Sequence, residues 1–96
     1  MPALLVFNYT VTNPEGYEPY RAKALETLQA HGAEILAADF ESEHVEGDGG
    51  HVTVVLRFAD KDAARAWYES PEYQAVVGER LNNSDPNVGA LINGIG

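Results

Sequence analysis

The best candidate for acid–base chemistry in this 96-residue chain is a histidine at the end of a predicted helix. Histidine titrates near neutrality, so it can accept or donate a proton at physiological pH. The spacing of His31, Tyr17 and Tyr20 predicts that all three lie on one helical stripe. A histidine in a last helical turn also interacts with the free carbonyls and the helix dipole. His31 is therefore either a general acid or base at a cleft mouth or a helix-terminal residue.

Large aromatic side chains could hold a flat, apolar molecule. Aromatic residues at helical spacing usually bury their rings in the core. Phenol hydroxyls and an indole N–H near one layer could equally orient a planar substrate in a pocket. The candidates for this ligand-binding role are Tyr17, Tyr20, Trp67 and Tyr73.

Two polar residues lie within apolar strand patterns. Arg57 ends such a strand, on the face that carries His51, Thr53 and Val55. Its guanidinium could bind a ligand carboxylate, or it could pair with an acid across a subunit interface. Asn8, on the first predicted strand, has the same two interpretations. Both residues are candidate ligand-binding residues.

Other catalytic patterns are weak. The chain has no cysteine, which excludes disulfides, thiolate metal sites and a cysteine nucleophile. His44 and His51 flank a predicted turn, but no third ligand has distinctive spacing, so we expect neither a metal nor a cofactor. Ser70 fits a helix cap better than a nucleophile. The glycines of residues 47–50 precede a strand, unlike those of a phosphate-binding loop.

The charge balance argues against nucleic acid and membrane partners. Fifteen acidic and six basic residues give a formal net charge of −9, and the basic residues are scattered. Phosphate-rich partners require clustered lysine and arginine. No apolar run approaches the roughly 20 residues that span a bilayer, and no secretory signal pattern opens the chain. We expect a cytoplasmic protein.

The hydrophobic pattern predicts an alternation of strands and helices. Strands are predicted at residues 3–11, 34–45, 51–58 and 88–95. Helices are predicted at residues 14–31, 61–68 and 71–81, with a turn at 46–50 and a loop at 82–87. Asn13, Asp60 and Ser70 are the predicted helix caps, and Gly32 is expected to end the first helix.

This order predicts one α+β domain over residues 1–96, with a ferredoxin-like βαββαβ fold. Right-handed crossovers place the helices on one face of a four-stranded antiparallel sheet. The opposite face is then uncovered, and a second copy is the simplest cover. We therefore predict a homodimer through the open sheet face, in which two sheets form a dimeric α/β barrel. The residues expected on that face include Leu4, Val6, Asn8, Thr53, Val55 and Arg57.

The chain resembles the domain of unknown function 1330 family, within the dimeric α/β-barrel (ferredoxin-like) superfamily. The resemblance covers roughly residues 3–81 and is most specific over Trp67-Tyr68-Glu69-Ser70-Pro71-Glu72-Tyr73-Gln74. Further matching positions are residues 11–21, His31-Gly32, Glu46-Gly47, Phe58, residues 63–66 and Arg80. Asn13 and Ala33 depart from the family pattern, and the tail from Asn82 onwards follows none.

The resemblance implies a fold and a dimer more firmly than a reaction. The wider superfamily includes cofactor-independent monooxygenases, lactone isomerases, polyketide cyclases and haem-binding proteins, which tend to hold a ligand between the helices and the sheet. The resemblance thus implies a cofactor-independent isomerase, cyclase or monooxygenase acting on a small hydrophobic or aromatic molecule. His31 would then move protons while the tyrosines and Trp67 hold the ring. The alternative is a non-catalytic dimeric ligand-binding or stress-associated module.

Overall fold

Strands and helices alternate along residues 1–95, the part of the chain that this computed structural model describes. The strands are β1 (Ala3–Val11), β2 (Glu34–Asp39), β3 (Val52–Phe58) and β4 (Ser84–Asn93). The helices are α1 (Pro14–Ala30), α2 (Lys61–Tyr68), α3 (Pro71–Gln74) and α4 (Val77–Leu81). Because α2, α3 and α4 follow one another between β3 and β4, they together occupy the position of the second helix in the predicted order.

The strands form an antiparallel sheet in the order β2-β3-β1-β4, with β1 and β3 at its centre. Leu5 lies opposite Leu56 on one side and Leu91 on the other, so these three side chains share a face. Over residues 1–95 this confirms the predicted α+β, ferredoxin-like fold with a four-stranded antiparallel sheet. The single domain of residues 1–96 stays a prediction, and Gly96 lies outside the described residues.

The core lies between one face of the sheet and the helices. In β1 every second side chain is buried, including Leu5, Phe7 and Tyr9, while the side chains between them are only partly buried. The buried face of α1 and the aromatic residues of α2 and α3 complete the same cluster. The helices therefore cover one face of the sheet, as the alternation predicts.

The helix ends follow the predicted capping pattern with one exception. The Asp60 carboxylate accepts a hydrogen bond from the Ala63 N–H at 2.8 Å, and Gly32 adopts a positive φ of 67° after α1. Asn13 makes no capping hydrogen bond with residues 1–95. Its Nδ2 instead donates to Oδ1 of Asn83 at 3.0 Å, so the start of α1 is tied to the segment before β4.

β2 is shorter than the predicted strand of residues 34–45. After Asp39 the chain leaves the ladder, and the loop is held from across the sheet by Asn8. The Asn8 Oδ1 accepts from the Gly50 N–H at 2.7 Å, and its Nδ2 donates to the Gly50 carbonyl at 3.0 Å. A side chain that is distant in sequence therefore fixes Gly50, at the end of the loop that leads into β3.

β4 starts at Ser84, inside the predicted loop of residues 82–87. Pro86 lies in this strand although proline cannot donate a ladder hydrogen bond. β4 lies at the edge of the sheet, where a strand tolerates a proline. The predicted helix 71–81 is also divided, since the Val76 N–H bonds to the Tyr73 carbonyl three residues back and tightens the turn.

The described chain measures 34 × 32 × 16 Å, the thin outline of one sheet with one layer of helices. No helix within residues 1–95 is long and apolar enough to cross a membrane.

Candidate ligand-binding site

A cavity of about 520 Å³, the first cavity, lies between α1 and the sheet. α1 packs against α3 and α4, while every residue of β2 stays exposed, so the core opens on the β2 side. Aromatic and aliphatic side chains form most of the lining, and Glu18 and Arg21 add charged groups. The main lining residues are Phe7, Tyr9, Tyr17, Tyr20, Ala24, Leu28, Ile35, Phe40, Val54, Leu56 and Trp67.

Two pairs of buried tyrosine hydroxyls lie on or directly behind this lining. The hydroxyls of Tyr9 and Tyr17 are 2.6 Å apart, as are those of Tyr20 and Tyr73. Burial raises the pKa of all four phenols above the usual value. At neutral pH the phenols are therefore protonated, so they can donate hydrogen bonds to a ligand oxygen but do not act as bases.

Trp67 contributes its ring to the first cavity and uses its N–H elsewhere. The indole Nε1 donates to Oγ1 of Thr27 at 3.0 Å, and that hydroxyl donates to the Ala24 carbonyl at 2.7 Å. The centroid of the Tyr73 ring lies 4.0 Å from that of Trp67, and Tyr73 does not itself line the first cavity. The structure thus brings together Tyr17, Tyr20 and Trp67, with Tyr73 as support.

His31 lines neither of the two cavities described in this section. It follows directly on α1, and its Nε2 lies 3.6 Å from Oε2 of Glu72. Hydrogen bonds from the Glu72 backbone N–H and from the Ser70 hydroxyl lower the pKa of the Glu72 carboxyl, and His31 adds to the effect. This geometry fits the helix-terminal interpretation, and the general acid or base role stays a prediction.

Asn8 and Arg57 lie on the opposite face of the sheet from the tyrosines. The Asn8 amide is occupied by the β2–β3 loop, and its Nδ2 also contacts Oγ1 of Thr53 at 3.0 Å. Arg57 is exposed, with its Nη1 3.5 Å from Oε1 of Glu34. Any ligand or subunit contact of these two residues would occur on the open face, separately from the first cavity.

Arg80 is a buried cation that the sequence did not mark as a site residue. Only 2% of Arg80 is exposed, and its guanidinium carbon lies 4.7 Å from the Phe7 ring centroid and 5.3 Å from that of Tyr9. Nη1 donates to Oδ1 of Asn87 at 2.9 Å. The sequence feature that could have indicated its burial is its spacing. Arg80 lies three residues after the buried Val77, on the same side of α4.

Arg80 also lines a second cavity of about 320 Å³, between α4 and the strands β1 and β4. Its lining is mainly apolar and consists of Leu5, Phe7, Tyr68, Arg80, Leu81, Asn87, Val88, Gly89 and Leu91. Phe7 lines both cavities and lies between them.

A metal site is not evident in the described part of the chain. Within residues 1–95, no group of three or more histidine or acidic side chains is arranged to hold a metal ion. The Nε2 of His44 is instead 2.7 Å from the Gly50 carbonyl oxygen, within the β2–β3 loop.

The family model of the domain of unknown function (DUF1330) matches residues 2–94. The chain belongs to this family. The match confirms the resemblance drawn from the sequence and extends it through the tail to residue 94. No curated protein matches this DUF1330 chain.

Solved structures share the fold of the DUF1330 chain at low sequence identity. RPA0582, a protein of unknown function from Rhodopseudomonas palustris, is 10% identical, with a TM-score of 0.82 over 99% of this chain and 83% of its own. SnoaB, a cofactor-independent oxygenase from Streptomyces nogalater, is 14% identical, with a TM-score of 0.71 over 99% and 94%. A dabb family protein with a ferredoxin-like fold (mll5499) from Mesorhizobium loti is 13% identical, with a TM-score of 0.65 over 99% and 98%. Identities this low show the fold alone.

Proposed function

We propose that this protein binds a small, flat, mainly apolar molecule in the first cavity and acts on it as a cofactor-independent enzyme. The observation that carries the proposal is the cavity itself, whose volume of about 520 Å³ lies within the usual range for small-molecule sites. The aromatic lining suits an aromatic or polycyclic ligand, because flat apolar surfaces bury large areas against one another.

The tyrosines supply the polar recognition in this proposal. Tyr9 and Tyr17 line the cavity with hydroxyls that are buried and protonated at neutral pH. A ligand carbonyl or phenol oxygen can accept a hydrogen bond from this pair, which fixes the orientation of the ring. Glu18 contributes a carboxylate to the cavity lining and is a candidate proton acceptor.

The enzymatic part of the proposal is supported by the likeness to SnoaB, which is described as a cofactor-independent oxygenase. Isomerisation, cyclisation and monooxygenation all remain open for this chain. Each of them suits a site that orients one small substrate and shields it from water.

A non-catalytic, dimeric ligand-binding or stress-associated module is the second candidate. The observation in its favour is the position of His31, which lies off the cavity, together with tyrosines that stay protonated at neutral pH. A cavity of this kind can hold a molecule without moving its protons.

Native mass spectrometry of the gently purified protein tests the proposal, with 1-naphthol as an added probe. Leu25 and Leu81 are a matched pair of half-exposed helical leucines, which line the first and second cavities respectively. We expect wild type and Leu81→Trp to carry a small organic molecule or 1-naphthol, and Leu25→Trp to lose it. A wild-type protein that carries neither would overturn the proposal.

Incubation of the bound molecule in air and without oxygen separates the two candidates. A change in its mass, or at constant mass in its NMR spectrum, supports an enzyme, because an isomerisation leaves the mass unchanged. A change only in air supports a monooxygenase. An unchanged ligand supports the binding module. A His31→Ala variant with full affinity and slower turnover would support the proton-transfer role of His31, whereas unchanged turnover would exclude it.

We also propose a homodimer that buries the open sheet face. Cross-strand neighbours form three rows across it, and the middle row, Ala90, Val6, Val55 and Ala37, is wholly apolar. The outer rows are Ile92, Leu4, Arg57 and Glu34, and Val88, Asn8, Thr53 and Asp39. The solvent-accessible surface of the chain is 5823 Å², which is larger than the roughly 5,400 Å² typical of a monomer of this mass. Small apolar side chains in the middle row allow two sheets to approach closely.

A further inference from the structure

Arg80 carries a positive charge into the core without a carboxylate partner among residues 1–95. A buried charge is costly unless it is paired and hydrogen-bonded. The rings of Phe7, Tyr9 and Tyr20 lie 4.7–5.9 Å from its guanidinium carbon and offset part of that cost through cation–π contacts. Within the described chain, the buried Nε still has no hydrogen-bond partner.

A closed set of hydrogen bonds holds the Arg80 segment in place. Nη1 of Arg80 donates to Oδ1 of Asn87, and Nδ2 of Asn87 donates to Ser84 at both the carbonyl, 3.1 Å, and Oγ, 3.0 Å. The Ser84 hydroxyl donates back to the Arg80 carbonyl. The Asn87 amide is thus occupied by Ser84 and Arg80, and the arginine Nε has no acceptor among residues 1–95.

The Arg80 side chain also lines the second cavity. The cavity has apolar walls from Leu5, Phe7 and Leu91, and half-exposed Leu81 and exposed Val88 at its rim. Its volume of about 320 Å³ is at the lower end of the usual range for ligand pockets, which suits a single-ring ligand. An apolar pocket lined by a buried cation that has no carboxylate partner in the described part of the chain matches a ligand with an apolar body and one negative charge.

We infer that the second cavity binds a small aromatic carboxylate, with the ring against Phe7 and Leu91 and the carboxylate on Arg80. This site is distinct from the first cavity, to which the proposed function refers. A carboxylate supplies the missing countercharge and accepts a hydrogen bond from the guanidinium, and a charge-assisted hydrogen bond of this kind is about twice as strong as a neutral one.

Fluorine NMR with two probes tests the inference on the full-length protein. The probes are 4-fluorobenzoate and its neutral isostere, 4-fluorobenzamide. We expect the wild-type protein to bind the benzoate at least about tenfold more tightly than the benzamide, because only the benzoate pairs with the guanidinium. Arg80→Met should weaken benzoate binding by about tenfold or more while leaving benzamide binding nearly unchanged.

The matched leucine variants locate the binding and do not depend on the folding of Arg80→Met. Leu81→Trp should fill the rim of the second cavity and weaken benzoate binding by at least about tenfold, whereas Leu25→Trp should leave it unchanged. The inference is overturned if wild type does not bind the benzoate, if both probes bind equally, or if Leu25→Trp rather than Leu81→Trp abolishes binding. If the first cavity binds no ligand while the second cavity binds 4-fluorobenzoate, only the proposed function is contradicted.

Discussion

The hydroxyls of Tyr20 and Tyr73 lie 2.6 Å apart in the core, where they join α1 to α3 across 53 residues of sequence. Their rings meet edge to face, with centroids 6.2 Å apart. Both side chains are buried, so this hydrogen bond is shielded from water. This pair connects the wall of the first cavity to the aromatic residues behind it.

Tyr20→Phe and Tyr73→Phe should each lower the free energy of unfolding by about 1–3 kcal/mol, because each removes this buried hydrogen bond while one of its two hydroxyls stays in the core. The double variant should cost less than the sum of the two, since it removes both partners together. Urea denaturation of the four proteins measures this coupling. Additive losses would show that the two hydroxyls do not stabilise each other.

Stability should fall steeply above pH 10. Burial raises the pKa of Tyr9, Tyr17, Tyr20 and Tyr73 in the folded protein, while an unfolded tyrosine titrates near pH 10. The stabilisation is complete below the unfolded pKa and is lost as the pH rises towards the folded values, by about 1.4 kcal/mol per pH unit for each tyrosine.

Urea midpoints between pH 7 and pH 11 measure this decline, which should be shallower in Tyr9→Phe because that variant has one fewer buried phenol. A stability that stays constant up to pH 11 would contradict the expected titration.

The Trp67 indole and the Thr27 hydroxyl should report on the packing of α2 against α1. Thr27→Val removes the acceptor for the indole N–H and should lower the free energy of unfolding by about 1–3 kcal/mol. Thr27→Ser keeps the hydroxyl and is the matched control. Since Trp67 is the single tryptophan, its fluorescence follows unfolding directly. Thr27→Ser lacks only the methyl group, so a loss in Thr27→Val no larger than that in Thr27→Ser would contradict the stabilising role of the hydroxyl.

The proposed dimer should depend on the middle row of the open face. Val6→Glu puts a carboxylate at the centre of that row, where the two-fold copy would bring its own close by, so the variant should be monomeric. Val45→Glu is the control, because Val45 is 94% exposed in the β2–β3 loop. Size-exclusion chromatography with light scattering gives the mass of each protein. A monomeric wild type would overturn the proposal.

Local patterns predicted most of the fold because they depend on near neighbours. The alternation in β1 and the caps Asp60 and Ser70 need only a few adjacent residues to act. The predicted end of β2 and the predicted start of β4 were wrong, because the actual boundaries depend on residues that are distant in sequence. Asn8 holds the loop after β2 from 42 residues away, and the edge position of β4 makes Pro86 acceptable.

The sequence by itself determined which aromatic residues would lie on the inner faces, since periodicity sets the side to which each side chain points. It also determined the family, through short segments around Trp67. Only the tertiary structure decided that Tyr17, Tyr20 and Trp67 enclose an open volume and that His31 lies outside it. It also decided that Arg80 is buried without a carboxylate partner among residues 1–95. These features depend on distances between elements that are far apart along the chain, and local periodicity does not contain those distances.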